Sequence, residues 1–193
     1  MRIRKLITKA QRKLIQLIYG FDKWHISPLS ERPYARDVIA YSNNRSERNN
    51  FVEIGCGLGD IIRNVDYVTR AGYDNDSKVL KAARALPSKT RTGKRVKYSV
   101  FNFPETALSG TSDVITMVNW IHHIEPVVLK KNIEQYFREN LKPGGEILVD
   151  TVQDKAYRYN HNIEFLTGGI DCSVFRIGEY SRQREVWAIK KKI

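Results

Sequence analysis

The sequence predicts an α/β fold, and three observations predict it. The run Phe51-Val52-Glu53-Ile54 is short and apolar and passes directly into Gly55-Cys56-Gly57-Leu58-Gly59-Asp60, with Ile61-Ile62 following as if opening a helix. Strand, glycine turn and helix start let a backbone pass close to a bound nucleotide-like group, because glycine tolerates φ > 0 and has no Cβ to obstruct the approach. An acidic residue, Asp74, closes a second strand nineteen positions after Gly55. A carboxylate there can accept both hydroxyls of a ribose as a bidentate clamp. Downstream, strand and helix patterns alternate as far as residue 152, the order that builds βαβ units.

Taken in order, residues 2–19 place Ile3, Leu6, Ile7, Ala10, Leu14, Leu17 and Ile18 at helical spacing. Arg2, Arg4, Lys5, Lys9, Arg12 and Lys13 lie between them and no acid interrupts them. Such a helix suits an anionic membrane face or a lipid-linked substrate. The plainer reading is a helix that covers the core or meets a second copy, and the modest length and lack of Trp favour it. Gly20 suits its end. Residues 21–34 carry two prolines and clustered aromatics, an ordered but irregular segment, and Tyr34–Tyr41 reads as a helix. Ser42–Asn50 is a polar linker. A short helix is expected over 60–65 and another over 77–86, capped by Ser77 and ended by Pro87. Val96–Val100 and Asp113–Val118 read as strands, Val127–Asn140 as an amphipathic helix, and Glu146–Val152 as a strand entered through a Leu141-Lys142-Pro143-Gly144-Gly145 turn. A helical patch surrounds Ile163, Phe165 and Leu166. Strands over 172–180 and 186–190, joined at Ser181–Arg184, form a closing antiparallel hairpin.

Composition bounds the possibilities. A chain of 193 residues supports one compact domain with a real core. Two cysteines, Cys56 and Cys172, have neither partners nor metal-ligand spacing. This points to a reducing cytoplasm and away from a disulfide framework or a metal site. No apolar run is long enough to cross a bilayer and no signal peptide is evident. The net charge of +12 invites an anionic partner: nucleic acid, a phospholipid surface or a phosphorylated substrate. Residues 1–50 hold eleven Lys/Arg against four Asp/Glu, and residues 81–97 seven against none. The basic loop Lys89–Arg95 could neutralise phosphates, but it lacks interleaved aromatics, which favours a solvated turn before the third strand.

The string Glu53-x-Gly55-x-Gly57-x-Gly59 has no Gly-Lys-Ser/Thr of a phosphate loop and not the spacing of a dinucleotide fingerprint. It resembles motif I of the class I S-adenosylmethionine-dependent methyltransferases, and the resemblance runs over residues 51–190. It implies a Rossmann-like, seven-stranded, mostly parallel sheet with an antiparallel last strand and helices on both faces. Residues 1–50 would then be a helical segment walling the acceptor site, and 51–193 the S-adenosylmethionine-binding domain. Glu53 would orient the donor or brace the loop, and Gly55, Cys56, Gly57 and Gly59 would line it. Asp74 and Asn75 would hold the ribose side, Asn102 the adenine amine, and Phe101 or Phe103 the face of the base.

Asn119-Trp120-Ile121-His122-His123 resembles the Asn-x-x-His-His pattern of many small-molecule methyltransferases. Asn119 would lie near the methionine end of the donor, Trp120 beside the acceptor, and His122 and His123 at the start of the acceptor side. Adjacent residues on a helical turn diverge by about 100°, so only one imidazole can face the methyl group and take a proton from an attacking hydroxyl; the plainer reading is a histidine that only shapes or bonds the pocket wall. Trp24, His25 and Tyr34 either line the acceptor pocket or pack the first helix onto the core. No Asn/Asp-Pro-Pro-Tyr/Phe of amino-methylating enzymes follows the fourth strand. The resemblance thus implies O-methylation of a sugar or other small hydroxylated metabolite, and the basic amphipathic N-terminus would accommodate a lipid-linked or nucleotide-linked one. An RNA methyltransferase and a donor-binding regulatory protein without catalysis are the alternatives.

Overall fold

Alternation along the strands decides which side of the sheet each apolar residue serves. The computed structural model describes residues 2–87 and 95–192, with side chains from residue 9 onward. Seven strands form one sheet: β1 (Asn50–Ile54), β2 (Thr69–Asp74), β3 (Lys97–Val100), β4 (Ser112–Met117), β5 (Leu141–Thr151), β6 (Cys172–Tyr180) and β7 (Arg184–Lys191). Their order is β3-β2-β1-β4-β5-β7-β6. β1, β2, β3, β4 and β5 pair in parallel, and β7 runs antiparallel to both its neighbours. The expected Rossmann-like sheet is the observed one.

Phe51, Val114, Leu148, Val186 and Ala188 face one layer, where α2 (Pro33–Asn43) and α3 (Ser77–Ala85) pack. Val52, Ile54, Ile115, Met117, Ile147 and Val149 face the other, with α4 (Pro126–Gln135) and α5 (Ile163–Thr167). An 18-residue helix α1 (Arg2–Tyr19) precedes them and reaches the first layer through Ile15 and Tyr19. The basic loop expected over 89–95 lies, apart from Arg95, outside the described residues.

Three local expectations are corrected. No helix forms over 60–65, where the chain runs through successive turns. The Asn64 N–H, which would bond the Asp60 carbonyl in a helix, goes to the Ile61 carbonyl at 2.9 Å, and Asn64 Nδ2 donates to the Asp60 carbonyl at 2.8 Å. The Ile62 N–H is held by the Glu53 carboxylate at 2.9 Å. The cap of α3 is Asp76, not Ser77: Asp76 has extended backbone and its Oδ1 accepts the Lys78 N–H at 2.7 Å. The Leu141–Gly145 segment is the start of β5 rather than a turn before it, because Leu141 pairs with Ser112 and the register shift between Ser112 and Val114 absorbs the extra residues. Gly144 at φ +70° and Gly145, whose added Cβ would meet the Lys142 carbonyl at 2.9 Å, make that irregular passage possible.

Asp60, at the end of the glycine string, anchors the N-terminal segment. Its carboxylate is buried and takes Arg12 at 2.9 and 2.6 Å, Arg63 at 2.8 Å, and Arg32. Burial alone would raise its pKa, but the three guanidinium groups outweigh it and hold the acid below the ordinary range. Removing one partner of a buried ion cluster leaves the other charges uncompensated. Asp60→Ala is therefore expected to lower unfolding stability by about 3–5 kcal/mol in urea titration. A loss under about 1 kcal/mol, the size of an exposed pair, would contradict the anchoring role.

Candidate active site

β1 ends at Ile54 and the chain turns at once through Gly55 (φ +73°), Gly57 (φ +52°) and Gly59 (φ +73°). The Cys56 N–H reaches the Tyr73 carbonyl at 2.8 Å and the Gly59 N–H reaches the Cys56 carbonyl at 2.7 Å, so the turn is held against the end of β2. Asp74, the last residue of β2, accepts the Gly57 N–H through Oδ2 at 2.8 Å and the Asp76 N–H through Oδ1 at 3.0 Å. Each oxygen keeps a further lone pair. Glu53 lies beneath the turn, buried, and its pKa is pushed up to about 8 by loss of water, partly offset by the Ile62 N–H. It braces the loop. Burial also pushes the Cys56 thiol well up, so it packs as a neutral side chain.

Aromatic groups lie against each glycine. A Cβ at Gly55 would run into the Trp120 indole, one at Gly59 into the Tyr98 hydroxyl, and one at Gly57 would come within 2.7 Å of His25 Nδ1. Trp120 Nε1 donates to the Ile54 carbonyl at 2.6 Å, and the Phe103 ring stands edge-on to it at 5.1 Å. His25 Nε2 accepts the Trp24 indole N–H at 3.1 Å, which leaves its proton on Nδ1, toward Gly57. The glycine turn is thus walled by side chains of this chain, and Trp120 is the wall over Gly55.

A second group adjoins it. Asn119 adopts φ +74°, a left-handed conformation that Asn tolerates, and its N–H bonds Asp150 Oδ1 at 2.8 Å. Asp150, fully buried on β5, also takes His122 Nε2 at 3.2 Å and the Arg184 guanidinium. Arg184 in turn donates to the Tyr157 hydroxyl at 3.0 Å and lies over the Tyr34 ring at 4.7 Å. His122 is fully buried, and burial followed by the Arg184 charge lowers its pKa to about 4. It is neutral at pH 7, with Nε2–H on Asp150 and no partner at Nδ1. His123, on the same turn (Ile121–His123), is exposed.

The structure therefore gathers Glu53, Gly55, Cys56, Gly57, Gly59, Asp74, His25, Phe103 and Trp120 around one turn, and Asn119, His122 and Tyr34 around Asp150. Asn75 and Asn102 are exposed beyond β2 and β3, and Trp24 is 75% exposed. The sequence reading assigned no role to Asp60, Asp150, Tyr157 or Arg184. Asp150 carried a signal, an acid at the end of an apolar strand just as Asp74 is; Arg184 carried none. A separate cavity of about 280 Å³ between Tyr41, Asn44, Arg45, Ser46, Glu146 and Lys190 opens at the amino ends of the parallel strands, away from the glycine turn.

A glycine turn after β1 and an acid closing β2, in a sheet whose β7 alone runs against the rest, define the class I methyltransferase fold. A family model described as a methyltransferase domain matches residues 27–183, and the chain belongs to that family. Among solved structures, the N-methyltransferase NodS from Bradyrhizobium japonicum WM9 is 15% identical, with 84% of this chain and 97% of that chain covered at a TM-score of 0.66. Magnesium protoporphyrin IX methyltransferase (ChlM) from Synechocystis PCC 6803, with S-adenosylmethionine bound, is 12% identical, covering 92% and 89% at a TM-score of 0.66. A S-adenosylmethionine-dependent methyltransferase from Methanosarcina mazei is 18% identical, covering 80% and 97% at 0.59. These likenesses are of fold. A comparison with curated proteins finds no match.

The raised Glu53 pKa has a measurable sign. Between its ordinary value of 4.5 and about 8 the folded chain holds a proton that the unfolded chain has released, so Glu53 makes stability fall as pH rises through that window. Glu53→Gln, which keeps an oxygen for the Ile62 N–H, is expected to remove this loss, worth a few kcal/mol by pH 8. Melting curves from pH 5 to about 8 check it; parallel pH dependence in both proteins would contradict it.

Proposed function

We propose that this methyltransferase uses S-adenosylmethionine to methylate a hydroxyl of a sugar or other small metabolite, one carried on a lipid or a nucleotide. The observation that carries the reading is the adjacency of the two groups: Trp120 lies on the glycine turn, and Asn119, its neighbour, bonds the Asp150 that holds His122. The donor half fits a nucleoside-bearing sulfonium. Gly55 leaves room for a close approach once Trp120 moves aside, His25 and Tyr98 wall Gly57 and Gly59, Asp74 keeps lone pairs for ribose hydroxyls, and Asn75, Asn102, Phe103 and Asn119 stand at the carboxyl ends where the remaining parts would lie.

The bound donor supplies a methyl group already activated on sulfur. What remains for the protein is to align the acceptor and exclude water. Trp120, Phe103 and His25 wall the donor side, and Tyr34 and Tyr157 stand on the acceptor side around Arg184. His122 is a weak base at its lowered pKa, and its role is to hold the turn on Asp150. His123, exposed on the same turn, takes the acceptor hydroxyl proton on a ring nitrogen. Residues 2–19 support an acceptor held at an anionic membrane surface, because Arg12 fixes their helix beside the glycine turn. The +12 charge is what an RNA methyltransferase would offer instead.

Transfer of tritium from labelled donor into fractionated cell extract tests the reading. Label is expected in the lipid or small-molecule pool; label in RNA alone supports the RNA reading, and no transfer alongside donor binding supports a regulatory protein. With an acceptor in hand, His123→Ala is expected to lower kcat by about 100-fold. His122→Ala should cost less than tenfold in rate but about 1–3 kcal/mol in stability, since it removes a fully buried imidazole and one of the two donors to Asp150 Oδ2, which keeps the Arg184 guanidinium. Equal, slight losses of rate in both variants would leave alignment as the only catalytic device.

A further inference from the structure

Helix α1 is mounted with its apolar stripe outward. Arg12 is buried on Asp60, and Ile15 and Tyr19 pack on the core, while Leu14, Leu17 and Ile18 are 59%, 81% and 67% exposed. At 3.6 residues per turn, positions 14, 17 and 18 share an arc of about 100°, opposite positions 12 and 19. An ordinary surface helix presents the reverse arrangement. The segment that follows adds Trp24, which is 75% exposed on the turn Lys23–Ile26. Three large aliphatic side chains clustered on one exposed helix face, with an exposed indole a few residues on, mark a surface that something covers.

The charge of the helix identifies the occupant. The helix carries six basic residues and no acidic one, and of the six Arg12 is tied to Asp60 and Lys9 to Glu31. A second copy of α1 laid on this stripe would set like charges against each other with no acid to answer them, whereas paired helices rely on opposite charges at their flanks. An anionic bilayer answers both features, apolar side chains entering at the acyl boundary and lysines and arginines meeting phosphates. No helix among the described residues is long and apolar enough to cross a membrane, so the contact is peripheral. We infer that α1 docks this protein on an anionic lipid surface through Leu14, Leu17 and Ile18. The Arg12–Asp60 link then holds the glycine turn next to that surface, where a lipid-carried acceptor would be presented. Only that last step rests on the proposed acceptor class; the docking stands without it.

Vesicle cosedimentation of the full chain tests the docking. The protein is expected to sediment with phosphatidylcholine vesicles containing phosphatidylglycerol, to remain in solution with phosphatidylcholine alone, and to be released by high salt. Leu14→Asp with Leu17→Asp should lower the partition at least tenfold while helicity by circular dichroism and donor affinity stay at wild-type values. Lys13→Gln, which leaves the apolar stripe intact, should lower it about fivefold. Partition indifferent to anionic lipid, or equal in the stripe variant and the wild type, would overturn the inference. So would absent vesicle binding, including the case in which light scattering shows a wild-type dimer that the stripe variant dissolves, which would assign the face to a second copy.

Discussion

Three guanidinium groups converge on one carboxylate, and the rest of the site depends on that convergence. Asp60 closes the glycine string, so whatever holds Asp60 holds the turn. Arg12 comes from α1, Arg32 from the residue that starts α2, and Arg63 from the turn itself. A buried charge without partners is expensive and a fully partnered one is geometrically demanding. The cluster therefore specifies where residues 12–32 must lie: Arg12 also bonds the His25 and Ser27 carbonyls, which brings His25 down onto Gly57. Part of the positive charge of the N-terminal segment is thus spent in building the wall of the site, not in display to a partner.

Asp150 does for the other half what Asp60 does for the first. It is an acid at the end of a parallel strand whose oxygens collect a backbone N–H and an imidazole from the turn after β4 and a guanidinium from the start of β7. Because the N–H belongs to Asn119, the left-handed bend there and the placement of Trp120 over Gly55 follow from one contact. The two carboxylates have different tasks: one positions the cover over the glycine turn, the other positions the turn that carries His122 and His123. Histidines 122 and 123 separate accordingly, one neutral and buried against Asp150, the other at the surface.

Much of this was legible in the chain itself. The glycine string, Asp74 and the alternation of patterns led to the sheet that is observed, because strand order in such folds follows from short, local units. The hairpin at 172–190 was legible too, since period-two patterns are local. What escaped the reading was set by side chains far apart in sequence. The helix expected over 60–65 did not form because the Asn64 N–H turns to the Ile61 carbonyl and the Asn64 side chain takes the Asp60 carbonyl that its ladder would use. Ser77 and Asp76 are both cap residues by type, and only the backbone at 76 decides between them. Arg184 looked like part of a hairpin loop, yet it is the first residue of β7 and completes a buried pair with Asp150. The outward stripe of α1 was invisible as well: the sequence shows an amphipathic helix, and only the Arg12–Asp60 contact shows which face turns inward.

The central claim is that a donor nucleoside lodges on the glycine turn between β1 and β2. The most direct measurement is a titration of isotope-labelled protein with S-adenosylhomocysteine, following backbone amide shifts. The account predicts that the largest changes fall on Gly55, Gly57, Gly59 and Asp74, with the Trp120 indole N–H moving as it leaves the Ile54 carbonyl. Shifts confined to the crevice of Tyr41, Arg45 and Lys190 at the opposite ends of the strands, with the glycine amides unmoved, would contradict it.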